Sequence, residues 1–340
     1  MQTNNNLHND KVAIVMSTYN GAKYVVEQLN AVMQQTHTNW HCYIRDDGSS
    51  DNTVATIKAH VNNDIRFTVI TDKQGNLGYN KSYYALIALA NEQYIAMCDQ
   101  DDVWHANKVE ISLNTLKQIE TPNKIPALVH TDSVVVDENL NFIKSNFIGK
   151  RGRHKGINGI LFANSAQGGS VMLNSCLKKI AMPIPAKLPC DYHLAIIASL
   201  TGARAFIPQQ LLKYRQHSSS IIAVSNLKLR TNGSKNTADN PKNNADVNAK
   251  SNLKNKPNLS LSDSLLLSIH MYHNMKNDFN QLALTKINIK SLNEYFYLFE
   301  GENRVKKLFI TLKNCYPFYR RKDFAAFIVL LLKNQDLKSL

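Results

Sequence analysis

Short apolar runs alternate with longer amphipathic stretches from residue 11 onward. Five runs rich in β-branched and aromatic residues predict strands over residues 12–17, 41–45, 66–71, 94–98 and 127–130. The stretches between them carry apolar residues at helical spacing, which predicts helices over residues 22–35, 52–61, 79–91 and 105–119. This alternation is typical of βαβ units around a parallel sheet with a nucleotide-binding layout.

The pattern becomes less regular after residue 130. Short apolar runs predict two further strands over residues 170–173 and 204–207, and residues 191–200 have the pattern of a helix. Residues 225–260 are rich in Asn, Lys, Ser and Ala, and such a segment buries too little apolar surface to offset its ordering entropy. We therefore predict three parts: an α/β domain over 1–224, a mobile linker over 225–260, and a helical, basic region over 261–340.

Composition and cysteine usage narrow the class of protein. With 340 residues, 44% of them hydrophobic, the chain is long and apolar enough for a sizeable core. The five cysteines form no CxxC pair, which predicts neither a disulfide framework nor a zinc site. The first ten residues lack the apolar core of a signal peptide, and the longest apolar run is shorter than the roughly 18 residues of a membrane span. We expect a cytoplasmic protein.

The formal net charge of +14 is typical of a chain that binds nucleic acid, anionic lipid or a phosphorylated ligand. Half of the excess lies in residues 303–340, and residues 1–218 are close to balanced, so we expect no nucleic-acid partner. Basic residues in 303–340 accompany Phe, Ile and Leu, which predicts a helix on an anionic membrane surface. A basic helix packed on the enzyme core or at an oligomer contact is the alternative.

Acidic side chains follow the run over 94–98, where Asp99, Asp101 and Asp102 lie within four residues. Three such carboxylates repel one another, and a divalent cation would offset that repulsion. Oxygen ligands favour Mg²⁺ or Mn²⁺ over zinc. A solvated acidic turn is the alternative. The segment RDDGSSDNT, with Asp46 and Asp47, follows the second predicted strand and is equally compatible with ordinary turn chemistry.

Seven motifs occur in a fixed order between residues 11 and 222. They are STYNG, RDDGSSDNT, GNLGYNKSY, DQDD, QGGSVM, CDYHLAIIA and LLKYRQHSSS. In this order they resemble the family 2 glycosyltransferases, and more narrowly their bacterial rhamnosyltransferase-like branch. The resemblance implies a GT-A fold, a Rossmann-like mixed sheet flanked by helices, here with a C-terminal helical appendage. It also implies inverting, metal-dependent transfer of a sugar, such as rhamnose, from a dTDP- or UDP-sugar to a polysaccharide or lipid-linked oligosaccharide.

The resemblance also implies roles for individual residues. Those expected to bind the donor are Thr18, Tyr19 and Glu27 near the base, Asp47 reading a pyrimidine base, and Asp99 at the ribose or sugar. Asp101 matches the metal-binding position of the DxD motif, and His217 matches a further metal or diphosphate contact, with a structural histidine as the alternative. Asp191 matches the general base, although Cys190 stands where the family commonly has His or Glu. The residues expected near the acceptor are Gly168, Gly169 and Trp104, and for Trp104 core packing is the alternative.

Three other functions are alternatives to the one that this resemblance implies. A sugar nucleotidyltransferase normally has a Gly-rich, basic segment after its first strand, and STYNGAKY does not supply one. A dinucleotide oxidoreductase would have GxGxxG at that position, which is also missing. A non-catalytic GT-A-like scaffold on the inner face of the cytoplasmic membrane keeps the fold and the basic tail but has no need of the acidic residues.

Overall fold

The computed structural model describes residues 10–121, 124–153, 156–160, 164–182 and 189–218. The strands of this part are β1 Val12–Thr18, β2 Trp40–Asp46, β3 Phe67–Ile70, β4 Tyr94–Asp99, β5 Val103–Trp104, β6 Ala127–Val136, β7 Phe142–Lys144, β8 Val171–Asn174 and β9 Ala203–Arg215. The helices are α1 Val25–Met33, α2 Thr53–Val61, α3 Tyr79–Leu89, α4 Lys108–Glu120, α5 Ser175–Ala181 and α6 Cys190–Thr201. Short 3₁₀ turns cover residues 149–153, 157–159 and 168–170.

The strands form one mixed sheet in the order β3-β2-β1-β4-β8-β6-β9-β5, and β7 pairs with β6 beside this path. Strands β1 to β4 are parallel to one another, as the βαβ pattern predicts. Strand β8 runs antiparallel to both of its neighbours, β4 and β6, and β9 is parallel to β6 but antiparallel to β5. The predicted mixed sheet flanked by helices is confirmed.

Helices cover both faces of the sheet and divide the core into two apolar clusters. Helices α3, α5 and α6 pack on one face, and α1, α2 and α4 pack on the other. In α1 the buried residues Val25, Leu29 and Val32 recur at helical spacing, which explains why this segment is a half-buried helix. Helix α6 is buried on all sides. None of the helices in the described ranges is both long and apolar enough to span a lipid bilayer.

Periodicity predicted the first half of the domain more closely than the second. Strands β1 to β4 and helices α2 to α4 lie within about three residues of their predicted ends. Strand β6 continues past its predicted end at residue 130 through polar residues 131–133, and β9 continues to Arg215 through Pro208. The short elements β5, β7 and α5 were not predicted. Residues 225–260 and 261–340, the predicted linker and helical region, lie outside the described residues.

The parallel strands bring the acidic motifs to one edge of the sheet. Thr18 at the end of β1 pairs in register with Asp46 of β2, and Ser17 pairs with Asp99 of β4. The carboxyl ends of these strands therefore meet at one edge, which is where open α/β sheets bind ligands.

Candidate active site

Asp99, the last residue of β4, is held by two fixed donors. Its Oδ1 accepts a hydrogen bond from the Tyr83 hydroxyl at 2.8 Å, and its Oδ2 accepts one from the Gly169 amide at 2.9 Å. Burial, followed by the charge of Asp101, raises the pKa of Asp99 to about 6. These contacts fix the carboxylate at the edge of the site, where its two oxygens keep further acceptor capacity for a ligand.

Asp101 and His217, 116 residues apart in the chain, meet in the structure. Nε2 of His217 lies 2.8 Å from Oδ2 of Asp101. The neighbouring Asp102 is only 1% exposed, and its Oδ2 has no hydrogen-bond partner in the described part of the chain. Burial, and then the charges of Asp101 and Asp99, raise the pKa of Asp102 well above its usual range. The alternative of a solvated acidic turn is therefore wrong for Asp102.

These donor atoms fit a hard divalent cation. A carboxylate oxygen and an imidazole nitrogen face each other, and the unpartnered oxygen of Asp102 adds negative charge in the same turn. Within the described ranges no three His, Cys, Asp or Glu side chains form a ready-made metal site. Asp101 and His217 are therefore two side chains that could hold such a cation together with a substrate or water.

Arg215, at the end of β9, fixes the turn that carries Asp101. It is only 2% exposed, and its Nε donates to the carbonyl oxygen of Asp101 at 2.8 Å. Its Nη1 donates to the carbonyl oxygen of Glu138 at 2.6 Å, and its Nη2 forms an ion pair with Glu27. The guanidinium also lies 4.8 Å from the centroid of the Tyr24 ring. The structure thus places Glu27 against Arg215, two residues before His217. Its predicted place beside the base is not shown.

The loop after β1 is held by the middle residue of the DQD motif. Thr18 is fully buried, and its hydroxyl donates to Oδ1 of Asp46 at 2.9 Å. Tyr19 is 49% exposed, and the Gln100 side chain bonds both its amide, at 3.0 Å, and its carbonyl oxygen, at 2.9 Å. Sequence reasoning missed Gln100, because only the fold brings residue 100 against residue 19.

Asp47 is buried and shapes the loop that precedes α3. Its Oδ1 accepts from Nη1 of Arg45 at 2.6 Å and from the Leu77 amide at 2.8 Å, and its Oδ2 accepts from the Gly78 amide at 2.8 Å. Asp46, besides its bond from Thr18, accepts hydrogen bonds from the amides of its own turn, at residues 48 and 49. Turn chemistry therefore accounts for Asp46. The predicted contact of Asp47 with a base stays a prediction.

Asp191 lies in the first turn of α6, in a nearly closed environment. Its Oδ1 accepts a hydrogen bond from the Tyr192 amide at 2.7 Å, and the Asn164 side chain and the Gly168 amide donate to the same carboxylate. Burial, opposed by these bonds and reinforced by the charge of Asp99, raises the pKa of Asp191 to about 7. A carboxylate with a pKa near neutrality suits a general base.

The first turn of α6 is tied to the first turn of α3. The amide of Cys190, the residue in the position where the family commonly has His or Glu, donates to Oδ1 of Asn80 at 3.1 Å. Burial raises the pKa of the Cys190 thiol well above its usual range, so this residue is a neutral part of the core. The hydrogen bond holds Asp191 beside the amino-terminal end of α3.

Two glycines in the turn before β8 allow the main chain to touch the acidic residues. A Cβ on Gly168 would lie 2.3 Å from the Tyr79 hydroxyl oxygen. A Cβ on Gly169 would lie 2.8 Å from Oδ2 of Asp102 and 2.9 Å from Oδ2 of Asp99. Any larger residue would displace these groups, which explains the glycines. Their predicted position beside an acceptor stays a prediction.

Trp104 was expected to stack on an acceptor sugar or to pack in the core. The structure places it in β5, only 3% exposed, among the apolar residues that α1 and α4 cover. The ammonium group of Lys108, itself buried, lies 3.8 Å from the centroid of the Trp104 ring. Stacking on an acceptor is therefore wrong, and the core-packing alternative is confirmed.

Comparison with known proteins agrees with this geometry. The sequence model of glycosyl transferase family 2 matches residues 13–171. This part of the chain, a little under half of its length, is similar to the family 2 glycosyltransferases. This confirms the predicted resemblance and the predicted transferase class. The matched residues include the carboxyl ends of β1, β2 and β4. They also include Thr18, Asp47, Asp99 and Asp101.

Several curated relatives of this chain are named glycosyltransferases. One, from Escherichia coli, is the UDP-Glc:alpha-D-GlcNAc-diphosphoundecaprenol beta-1,3-glucosyltransferase WfgD, 31% identical over 105 residues, which are 31% of this chain and 40% of that protein. Another, from Shigella flexneri, is the dTDP-rhamnosyl transferase RfbG, 33% identical over 107 residues, which are 30% of this chain and 36% of that protein. The chain thus spans less than half the length of either relative.

Solved structures show the same fold. The structure of Staphylococcus aureus TarS 1–349 in complex with UDP-GlcNAc matches with a TM-score of 0.53 at 12% identity, covering 96% of this chain and 92% of that one. At this identity the likeness concerns the fold alone. It agrees with the mixed sheet flanked by helices described above.

Proposed function

We propose that this chain transfers a sugar from a nucleoside diphosphate donor to a hydroxyl group of a saccharide acceptor, with inversion at the anomeric carbon and with a divalent metal ion. The observation that carries the proposal is the separation of acidic roles at one edge of the sheet. Asp101 is paired with His217, whereas Asp191 stands apart from that pair in a buried position with a near-neutral pKa.

The names of the relatives support a pyrimidine nucleotide in the donor. UDP-Glc appears in the name of WfgD, dTDP-rhamnose is the donor implied by the name of RfbG, and TarS was crystallised with UDP-GlcNAc. We infer a dTDP- or UDP-sugar, with rhamnose as the first sugar to test. The diphosphoundecaprenol-linked acceptor in the name of WfgD supports a lipid-linked oligosaccharide or surface polysaccharide as the acceptor.

Asp101 and His217 are the residues that would hold Mg²⁺ or Mn²⁺. A divalent cation supplies positive charge that neutralises the diphosphate as it leaves. Arg215 keeps Asp101 in place by binding its carbonyl oxygen. Asp99, fixed by Tyr83 and by the Gly169 amide, is positioned to accept a hydrogen bond from a ribose or sugar hydroxyl group.

Asp191 would remove the proton of the acceptor hydroxyl group as its oxygen attacks the anomeric carbon. Attack from the face opposite the departing diphosphate inverts the configuration at that carbon. With a pKa of about 7, Asp191 is partly deprotonated at neutral pH and can accept the proton. The Asn164 side chain and the Gly168 amide orient the carboxylate by hydrogen bonding.

The buried acidic groups favour an enzyme over a non-catalytic scaffold. Burial raises the pKa of Asp99, Asp102 and Asp191, so each of these groups lowers the stability of the folded domain at neutral pH. A non-catalytic scaffold would gain no function from groups that lower its stability. Clusters of perturbed carboxylates are typical of catalytic sites.

A transfer assay tests the proposal. The purified full chain is incubated with UDP-glucose, UDP-GlcNAc or dTDP-rhamnose, with and without Mn²⁺, and release of the nucleoside diphosphate is measured. Both Asp101→Ala and Asp191→Asn are expected to lower turnover at least 100-fold, while Asp191→Asn still binds the donor. The matched control is Asp64→Asn, which breaks an ion pair with Arg66 before β3, at the opposite edge of the sheet. Wild-type turnover by Asp191→Asn would overturn the assignment of the base.

We also propose that residues 303–340 bring the enzyme to the inner face of the cytoplasmic membrane, beside a lipid-linked acceptor. The support is their net charge together with their Phe, Ile and Leu residues. Deleting residues 303–340 is expected to shift the protein from vesicles that contain anionic lipid to the supernatant at low salt. Unchanged partitioning would favour the alternative, a basic helix that packs on the enzyme or on another copy.

A further inference from the structure

Tyr79, the first residue of α3, places its hydroxyl group beside one of the two carboxylates that the proposed reaction uses, Asp99, and beside the turn that binds the other, Asp191. Its oxygen is 3.5 Å from Oδ1 of Asp99. It also lies 2.3 Å from the position that a Cβ of Gly168 would occupy, and the Gly168 amide donates to Asp191. The hydroxyl group thus lies close to Asp99 and to the turn whose amide binds Asp191.

This hydroxyl group is a hydrogen-bond donor. Burial, and then the charges of Asp99 and Asp191, raise the pKa of Tyr79 well above its usual range, so the phenol keeps its proton. The Tyr83 ring packs against the Tyr79 ring edge to face, with the centroids 4.9 Å apart. The donor is therefore both protonated and held in place before any ligand arrives.

Asp99 does not need Tyr79 to stay in position. The Tyr83 hydroxyl group and the Gly169 amide contact its two oxygens at 2.8 and 2.9 Å, whereas the Tyr79 contact at 3.5 Å is at the limit of a hydrogen bond. A half-buried donor with so weak a bond gains from a closer acceptor. A sugar hydroxyl group is such an acceptor.

We propose that Tyr79 is a specificity-determining residue, whose hydroxyl group donates a hydrogen bond to a hydroxyl group of the sugar that is transferred. The assignment rests on the proposed function, in which the sugar lies between Asp99 on the donor side and Asp191 on the side of the attacking oxygen. We expect the hydrogen bond to go to the sugar and not to the nucleotide, because the Tyr79 hydroxyl group lies beside Asp99 and beside the Gly168 turn that binds Asp191.

The same placement explains Gly168. A Cβ there would meet the Tyr79 oxygen at 2.3 Å, whereas its next neighbours, Asp99 Oδ2 at 3.6 Å and Tyr79 Cζ at 3.7 Å, are at ordinary contact distance. The phenolic oxygen is thus the one severe obstacle among these neighbours. Removing that oxygen in Tyr79→Phe makes room for the methyl group of Gly168→Ala, so the two substitutions are expected to be non-additive.

The test compares ligands with and without the sugar. Dissociation constants of UDP, UDP-glucose, dTDP and dTDP-rhamnose are measured by calorimetry with Mn²⁺ for the full-length wild type and Tyr79→Phe. The substitution is expected to weaken binding of the sugar nucleotide about tenfold and to leave the nucleoside diphosphate within about twofold. The matched control is Tyr43→Phe, which removes a hydroxyl group that bonds Glu92 at 3.1 Å, and it is expected to change neither constant.

A second measurement uses Gly168→Ala. Alone, it is expected to weaken sugar-nucleotide binding, and the double variant is expected to bind no more weakly than Tyr79→Phe. Equal losses for both kinds of ligand, or additive losses in the double variant, would overturn the assignment of Tyr79. If the wild type binds none of the four ligands, the proposed function itself is overturned. If the wild type binds the sugar nucleotides and Tyr79→Phe binds them equally well, only the assignment of Tyr79 is overturned.

Discussion

Replacing Asp191 with Asn is expected to stabilise the domain at alkaline pH while it abolishes transfer. The Asp191 side chain is buried, and its pKa is raised from 3.8 to about 7. Between these two values the folded chain holds a proton that the unfolded chain has released. The free energy of unfolding therefore falls as the pH rises through this range.

The size of the effect follows from the shift. Each pKa unit corresponds to about 1.4 kcal/mol. The raised pKa of Asp191 therefore lowers the free energy of unfolding by about 4 kcal/mol above pH 7 and by about 1 to 2 kcal/mol at pH 5. Asn carries no charge and avoids this cost, but its NH₂ group cannot accept a hydrogen bond, which loses about 1 to 3 kcal/mol. The loss does not depend on pH. The advantage of the variant should therefore grow by about 3 kcal/mol between pH 5 and pH 8.

Urea denaturation of the wild type and Asp191→Asn at pH 5, 6.5 and 8 measures this difference. The control Asp64→Asn has the opposite sign, because hydrogen bonds from Arg66 lower the pKa of Asp64. Its partly exposed ion pair should contribute less than about 1 kcal/mol, and only above the pKa of the unfolded carboxyl group. If the advantage of Asp191→Asn is the same at pH 5 and pH 8, the carboxyl group is not buried as described and the reasoning fails.

Three further substitutions test the surroundings of the site. Arg215→Lys keeps the charge but not the forked geometry, so Mn²⁺ affinity, measured by electron paramagnetic resonance, should fall about tenfold, and unchanged affinity would contradict the positioning role. Gly169→Ala should lower turnover about 100-fold, because its Cβ would lie 2.9 Å from Oδ2 of Asp99, and wild-type turnover would contradict that contact. Trp104→Ala should cost about 3 to 5 kcal/mol in urea denaturation, and a small cost with a raised KM for the acceptor would restore the stacking hypothesis.

The sequence predicted those parts of the fold in which apolar residues follow the spacing of a single type of element, a strand or a helix. Strands β1 to β4 are apolar runs and α1 has one apolar face, so periodicity alone locates them. The continuation of β6 could not be found this way, because it contains Asp132. That residue is buried but satisfied, since its carboxylate accepts bonds from the amides of Ile148 and Gly149, which lie in a distant loop. Only the tertiary structure supplies such partners.

In the candidate site, too, some residues could be found from the sequence and others only from the tertiary structure. Motif order brought Asp99, Asp101 and Asp191 to attention, and the structure places them at one edge. Arg215 lies inside the YRQH motif but received no role, because its partners at residues 27, 101 and 138 come together only after folding. The sequence left stacking and core packing open for Trp104 for a related reason, because a tryptophan beside an acidic turn gives no indication of which face of the sheet it lies on.

The position of β9 determines when this site is complete. Strand β9 is the last described strand in the chain, yet it lies inside the sheet, between β6 and β5. Strand β5, which follows the acidic turn directly, pairs with β9, and β9 leads into Arg215 and His217. During synthesis the ribosome releases these residues more than 100 positions after the carboxylates that they hold. A growing chain therefore cannot bring His217 to Asp101 until β9 has entered the sheet.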